Sequence, residues 1–228
     1  RTIILIVLAA LCLIGALGYF QTRYYLMKAL PSLPDKRTMW GLNLPPNMTL
    51  LDKDGHVIGH RGPYIGEPLK LGQMPAYVGN AFLAIEDERF YEHAGIDNRA
   101  ILRAVFANTR AGEKTQGAST LTQQLVKNIA LTPEKSYRRK FQEAVLARDM
   151  EAVLSKPEIL ELYLNRISMG PRVFGVEAAA QRYFSKHAGE LNPQESAMLA
   201  GLLTAPSSLS PTNDIERSQA RAATVLRL

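Results

Sequence analysis

Cysteine is almost absent from this sequence. Cys12 is the only one in 228 residues, so no intramolecular disulfide can form and none is needed for folding. An oxidising compartment is therefore neither required nor excluded. The four histidines, His56, His60, His93 and His187, fall at no spacing that would gather them around one metal ion. Glycine-rich phosphate loops are lacking as well, because the glycines match neither a P-loop nor a dinucleotide fingerprint. There is no internal repeat and no low-complexity tract. With 46% hydrophobic and 21% charged residues, the composition excludes a disordered chain, a collagen-like repeat and a pure coiled coil. The length suits one ordinary domain with an appendage, or at most two small domains.

Charge is missing from one stretch altogether. Ile3 to Phe20 reads IILIVLAALCLIGALGYF, so the mean hydropathy of -0.09 hides an apolar run followed by a polar remainder that carries most of the +6 formal charge. At about 1.5 Å per residue a helix of this length spans roughly 27 Å, enough to cross a hydrocarbon core. That length favours a permanent anchor over a cleaved signal peptide, whose apolar core is shorter. Tyr19, Tyr24 and Tyr25 supply interfacial aromatics at its end. The flanking cations Arg1, Arg23 and Lys28 do not settle its orientation. We therefore divide the chain into a transmembrane signal-anchor over 1–22, a juxtamembrane connector over 23–47 rich in proline, and a domain over 48–228.

In that domain MTLLDKDGHVIGH sets short β-type runs on either side of Asp54-Gly55, a hairpin signal. The rest is helical in pattern. Val78, Phe82, Ile85 and Arg89 recur at helical spacing, with Gly95 closing the region. Residues 99–110 form a basic amphipathic helix that either packs on a core or lies against lipid. Thr120 with Gln123, and Ser155 with Glu158, are capping boxes. Thr132-Pro133-Glu134 reads as the start of the helix between them. Asn192-Pro193 caps an apolar helix, and the chain stops in a last helical pattern without a C-cap. From that stop we expect a further domain downstream.

Three clusters bear chemistry. In EDERFYEHAG a continuing helix would place Glu86, Phe90 and His93 on one face, with Asp87 beside them. A carboxylate against an aromatic ring loses solvation and becomes a candidate general acid or base, the alternative being an exposed acidic helix end. In GASTLTQQLVKN, Gln123 and Lys127 form one i, i+4 pair and Gln124 and Asn128 another. They follow Ser119 and Thr120, whose helix N-terminus is either an anion site or simply capped. From Lys127 to Arg148 six cations face two anions, a net +4. Here Arg139, Lys140 and Glu143 share a helix face. They form either a surface ion pair or a phosphate-binding wall holding one carboxylate, for catalysis or a divalent metal. Few aromatics interleave with these cations, so nucleic acid is not expected as a partner.

In this order EDERFYEHAG, GASTLTQQLVKN, RRKFQE, KPEILELYLN and GVEAAAQRYF resemble the five conserved blocks of the peptidoglycan glycosyltransferases, glycosyltransferase family 51. QMPAYVGNAFLAIED and LAGLLTAPSSLSPTND look like the flanks found in class A penicillin-binding proteins, in which a transpeptidase domain follows. The resemblance implies a mainly α, lysozyme-like glycosyltransferase domain with a small β-hairpin and an N-terminal transmembrane helix. It would sit on the extracytoplasmic or periplasmic side of the bacterial cytoplasmic membrane.

The reaction implied is polymerisation of lipid II into glycan strands, by inverting transfer from lipid pyrophosphate to an acceptor 4-hydroxyl. Glu86 matches the general base and Glu143 the second glutamate near the donor. Asp87, Phe90, His93, Ser119, Thr120, Gln123, Gln124, Lys127, Asn128, Lys135, Arg139 and Lys140 match substrate-binding positions. Lys135 stands where the family usually carries arginine, which keeps the charge and loses the bidentate fork. No cofactor is obligatory, although a divalent cation such as Mg or Mn at the pyrophosphate, on Glu143, is compatible. The partners implied are lipid II and the nascent strand, membrane lipid and other wall-synthesis proteins. Two rivals stand beside this reading: a lytic glycosidase of similar fold, which needs no cationic wall, and a catalytically silent anchored scaffold.

Overall fold

The computed structural model describes residues 2–41, 46–112, 117–132, 134 and 136–228, with side chains described from Cys12 onward. Helix α1, Thr2–Met27, contains the whole apolar run and continues past it. Among the described residues no helix is long and apolar enough to cross a membrane. Positions 3–11 of the run lie outside the described side chains. The proline-rich connector is not wholly extended, because a short helix α2, Lys36–Gly41, interrupts it and sinks Met39 into the core. Asp35 starts α2 by accepting from the Thr38 backbone N–H at 2.9 Å, and the two Thr38 hydrogen bonds hold its carboxyl below the ordinary range.

Strands β1, Met48–Leu51, and β2, Val57–Arg61, form the expected hairpin, with Met48 opposite Arg61 and a bulge after Leu50. Asp52 shapes its turn by accepting from the backbone N–H groups of Asp54 and His56. A second pair is unanticipated. Strand β3, Tyr64–Ile65, lies parallel to β4, Val173–Phe174, and two residues are too short a run for any alternation to register.

The remaining described elements are helices: α3, Ala76–Glu86; α4, Asn98–Ala111; α5, Leu121–Ala130; α6, Tyr137–Val153; α7, Lys156–Arg166; α8, Val176–Phe184; α9, Pro193–Leu202; and α10, Ile215–Val225. The capping signals mark real starts. Thr120 Oγ1 accepts from Gln123 N while Gln123 Oε1 accepts from Thr120 N, Asn192 with Glu195 repeats the arrangement, and at Ser155 the backbone N–H and the hydroxyl both donate to Glu158 Oε2. One start differs from expectation: α6 opens at Tyr137, not at Thr132-Pro133-Glu134. Ser136 accepts from the Arg139 N–H at 3.1 Å and supplies the cap, and Pro133 lies outside the described residues.

The core is built around α5, α7 and α9. Leu121, Leu125 and Ile129 of α5 point inward as their spacing predicts, joined by Val126. Helix α5 packs on α6 and α7, whose Leu146, Met150, Ile159 and Leu162 share its core, while α9 packs between α3 and α10. Each such side chain contributes about 1.5–3 kcal/mol on leaving water. Helix α4 is the exception, burying only Ala104. Its apolar side is turned outward, with Leu102 and Val105 exposed and Phe106 75% exposed. Of the two readings of this helix, the structure removes the one in which that face packs on the core.

Helix α6 is held by its neighbours at both ends. Gly95 has φ +81, and a Cβ there would stand 2.7 Å from the carbonyl of Ala147, so the segment after α3 lies directly on the backbone of α6. Nearer its N-terminus, Gln142 Nε2 donates to the carbonyls of Leu26 and Lys28 at 3.5 and 3.4 Å, and Arg138 covers the ring of Tyr25.

Candidate active site

The α3 helix does not continue through EDERFYEH. It stops at Glu86, because Asp87 adopts φ -163 and ψ 69 and gives its side chain to partners elsewhere in the chain. Asp87 is buried. Its Oδ2 accepts from the Leu121 N–H at 2.9 Å, 34 positions later, and its Oδ1 accepts from His93 Nε2 at 2.9 Å. The expected common face of Glu86, Phe90 and His93 therefore does not exist. Phe90 lies in a short 3-10 turn and is fully buried, with Lys156 Nζ 4.2 Å above its ring. His93 serves Asp87, and its Nδ1 is buried without a hydrogen-bond partner among the described residues.

The start of α5 changes meaning as a result. Its first N–H is held by the Asp87 carboxylate, and Thr120 takes up the N–H of Gln123 as well as giving its own hydroxyl to the Gly95 carbonyl at 2.7 Å. The anion that this helix N-terminus attracts is internal. Thr120 and Gln123 are buried, and their side chains are engaged in the cap.

Glu86 is half-buried and faces Gln124, whose Nε2 donates to Glu86 Oε2 at 2.6 Å. Behind Gln124 stands Tyr163 of α7, with its hydroxyl 3.5 Å from Gln124 Oε1. Burial, and then the charges of Glu86 and Asp87, push the Tyr163 phenol well above its ordinary pKa. A cavity of about 470 Å³ opens beside Glu86 and is lined by Asp87, Arg103, Gly117, Ser119 and Asp97, among others. Burial raises the Asp97 carboxyl, but the Ala100 N–H, the Arg89 guanidinium at 3.1 Å and the Arg99 N–H outweigh it and hold it below the ordinary range.

Ser119, on the wall of this cavity, is hydrogen-bonded to the basic cluster. Lys140 Nζ donates at 2.7 Å both to Ser119 Oγ and to Glu143 Oε2, and Arg139 Nε stands 3.5 Å from Glu143 Oε1. Glu143 is buried, with each oxygen facing a cation. Among the described residues no group of three or more His, Cys, Asp or Glu could hold a metal. Lys127 and Asn128 lie exposed on the last turns of α5, joined to this cluster by no hydrogen bond or ion pair among the described residues. Lys135 lies outside the described residues.

Sequence reasoning missed Arg103 and Tyr163. Arg103 reads as one more cation on an amphipathic helix. Tyr163 had one available signal, a polar tip on an otherwise apolar inward face of PEILELYLN, and a buried phenol needs a partner.

Residues 54–228 match the sequence model of a family described as Transglycosylase. Penicillin-binding protein 1A of Escherichia coli (strain K12) is 42% identical over 221 residues, covering 97% of this chain and 26% of that protein. Penicillin-binding protein 1A of Haemophilus influenzae is 49% identical over 179 residues, covering 78% and 21% respectively. The crystal structure of penicillin-binding protein 1A from Haemophilus influenzae is 29% identical, with a TM-score of 0.45, and covers 82% of this chain and 18% of that one. This chain spans about a quarter of the length of the first of these relatives.

Proposed function

Because the chain belongs to the transglycosylase family, we propose that it is a peptidoglycan glycosyltransferase, polymerising lipid II into glycan strands. The observation that carries this reading is the cavity beside a hydrogen-bonded carboxylate, Glu86, whose wall residue Ser119 is held by Lys140, the cation that also pairs with Glu143 next to Arg139. Inverting transfer from a lipid pyrophosphate needs two things on opposite sides of the sugar. A base must take the proton of the acceptor 4-hydroxyl, and positive charge must meet the departing diphosphate.

In this reading Glu86 is the base, aimed by Gln124. Lys140 and Arg139 meet the diphosphate oxygens through charge-assisted hydrogen bonds. Glu143 keeps those two side chains in place, and Arg103, with Arg89, adds positive charge to the wall of the cavity beside Glu86. A lytic glycosidase has no use for the cationic wall. The exposed Leu102, Val105 and Phe106 of α4 would lie against lipid, where a polyprenyl chain can enter from the bilayer. With the apolar run of α1 as anchor, the domain would stand on the extracytoplasmic side of the bacterial cytoplasmic membrane. There it would meet lipid II, the nascent strand and other wall-synthesis proteins.

Purified chain incubated with lipid II in detergent is expected to yield polymer, and Glu86→Gln to yield almost none while keeping the wild-type fold. Equal polymer from both would sink the assignment of Glu86. No polymer from wild type under any detergent or lipid condition would sink the activity itself.

A further inference from the structure

We propose that Tyr163 is a positioning residue for the Glu86 carboxylate, acting through the side-chain amide of Gln124. The inference rests on the reading of Glu86 as the base. A carboxamide has one donor end and one acceptor end, and here both are committed. Nε2 gives its hydrogen to Glu86 Oε2 at 2.6 Å, and Oε1 receives the Tyr163 hydroxyl at 3.5 Å. Turned over, the amide would set its oxygen against the carboxylate and its NH₂ against the phenol hydroxyl. The phenol at the acceptor end is therefore what selects the orientation that presents a donor to Glu86.

Tyr163 is suited to this because it cannot look elsewhere. It is 1% exposed and fixed by α7 in the core, and among the described residues Gln124 is the only hydrogen-bond partner of its hydroxyl. Its raised pKa keeps the proton on the phenol, so it remains a donor. The relay runs one way, from phenol to amide to carboxylate, and keeps a hydrogen-bond donor against Glu86. Around Glu86 the charged and titratable groups are Asp87, Glu88 and Arg89 from its own segment, Asp97 and Arg103 from α4 and its cap, and Tyr163 from α7. None of these others hydrogen-bonds the Glu86 carboxylate. Gln124 has its amide nitrogen turned to Glu86.

The test is polymerisation of lipid II by the detergent-solubilised chain across about pH 5 to 9. Tyr163→Phe keeps the ring and removes only the hydroxyl. It is expected to lower kcat about tenfold and leave KM within about twofold. The acid limb of kcat/KM should move up by about half to one pH unit, since a carboxylate that loses its donor binds protons more readily. Gln124→Met should move the limb the same way, and adding Tyr163→Phe to it should change nothing further. An unmoved profile with normal kcat in Tyr163→Phe overturns the inference. So does a Tyr163→Phe effect that persists undiminished on the Gln124→Met background, which would leave Tyr163 a packing role only. If Tyr163→Phe does not fold, Gln124→Met decides alone, and an unmoved acid limb overturns the inference. Glu86→Gln separates the two levels: polymer from that variant removes the base reading itself, whereas an inactive Glu86→Gln beside an unmoved Tyr163→Phe profile removes only this inference.

Discussion

Replacing Asp87 with asparagine takes away one charge and leaves the shape of the side chain almost intact. In the native arrangement the two carboxylate oxygens serve two donors, the Leu121 N–H and His93 Nε2, each at 2.9 Å, on a residue that is 7% exposed. Asparagine can accept from only one of them and must turn its NH₂ toward the other. A hydrogen bond to a charged group contributes about 1.5–3 kcal/mol. An anion at a helix N-terminus contributes about 0.3–1 kcal/mol, and up to ~2 where it is partly buried. Allowing for overlap between these terms, the loss should be about 2–4 kcal/mol. In a chain of this size that lowers Tm by about 5–15 °C. Thermal unfolding followed by circular dichroism in detergent reads the global effect, and amide exchange at Leu121 reads the local one. A loss below about 1 kcal/mol with Leu121 still fully protected would refute the claim that this carboxylate joins the end of α3 to the start of α5.

Contacts outside the cleft give two more expected outcomes. Gly95→Ala should destabilise the fold by about 2–4 kcal/mol in chemical denaturation, since both the positive φ and the approach to Ala147 oppose a Cβ; a variant as stable as wild type would contradict the close packing on α6. Glu158 is held at about 2, chiefly by the Lys36 ammonium and then by Ser155. A lowered folded pKa stabilises above the ordinary glutamate value of 4.5 and is lost as the pH falls toward about 2. The Tm difference between wild type and Lys36→Met should therefore shrink over that window and be flat above it. A difference that stays constant down to pH 2 would remove the pairing of α2 with α7.

What could be read from the sequence was what neighbours in the chain decide among themselves. The Thr120, Ser155 and Asn192 caps each involve a partner three residues away, and the Asp54-Gly55 turn is closed by Asp52. The break after Glu86 could not be read, because the residues EDERFYEH carry an acceptable helical spacing. What ends the helix is an N–H belonging to Leu121. The same holds for β3 with β4 and for Met39 of α2, whose partners lie more than a hundred positions away in the chain or in the assembled core. Within the site, the i, i+4 pairing of Arg139 with Glu143 was legible, whereas the link from Lys140 to Ser119 crosses between two helices. The stripe of polar residues on α5 divides for a reason that spacing alone does not contain. Gln123 turns into the cap, Gln124 turns to Glu86, and Lys127 and Asn128 face outward.

The grip of Gln142 and Arg138 on the end of α1 has a geometric consequence. These residues belong to the helix that also carries Lys140 and Glu143, so the exit of α1 and the cationic cluster form one rigid lever. In the proposed anchoring, α1 acts as a gauge for how far the cluster stands from the bilayer. Each residue added between Phe20 and Leu26 would lift it by about 1.5 Å and turn it by roughly 100°. Length added after Leu30 would slacken the chain and leave that height unchanged.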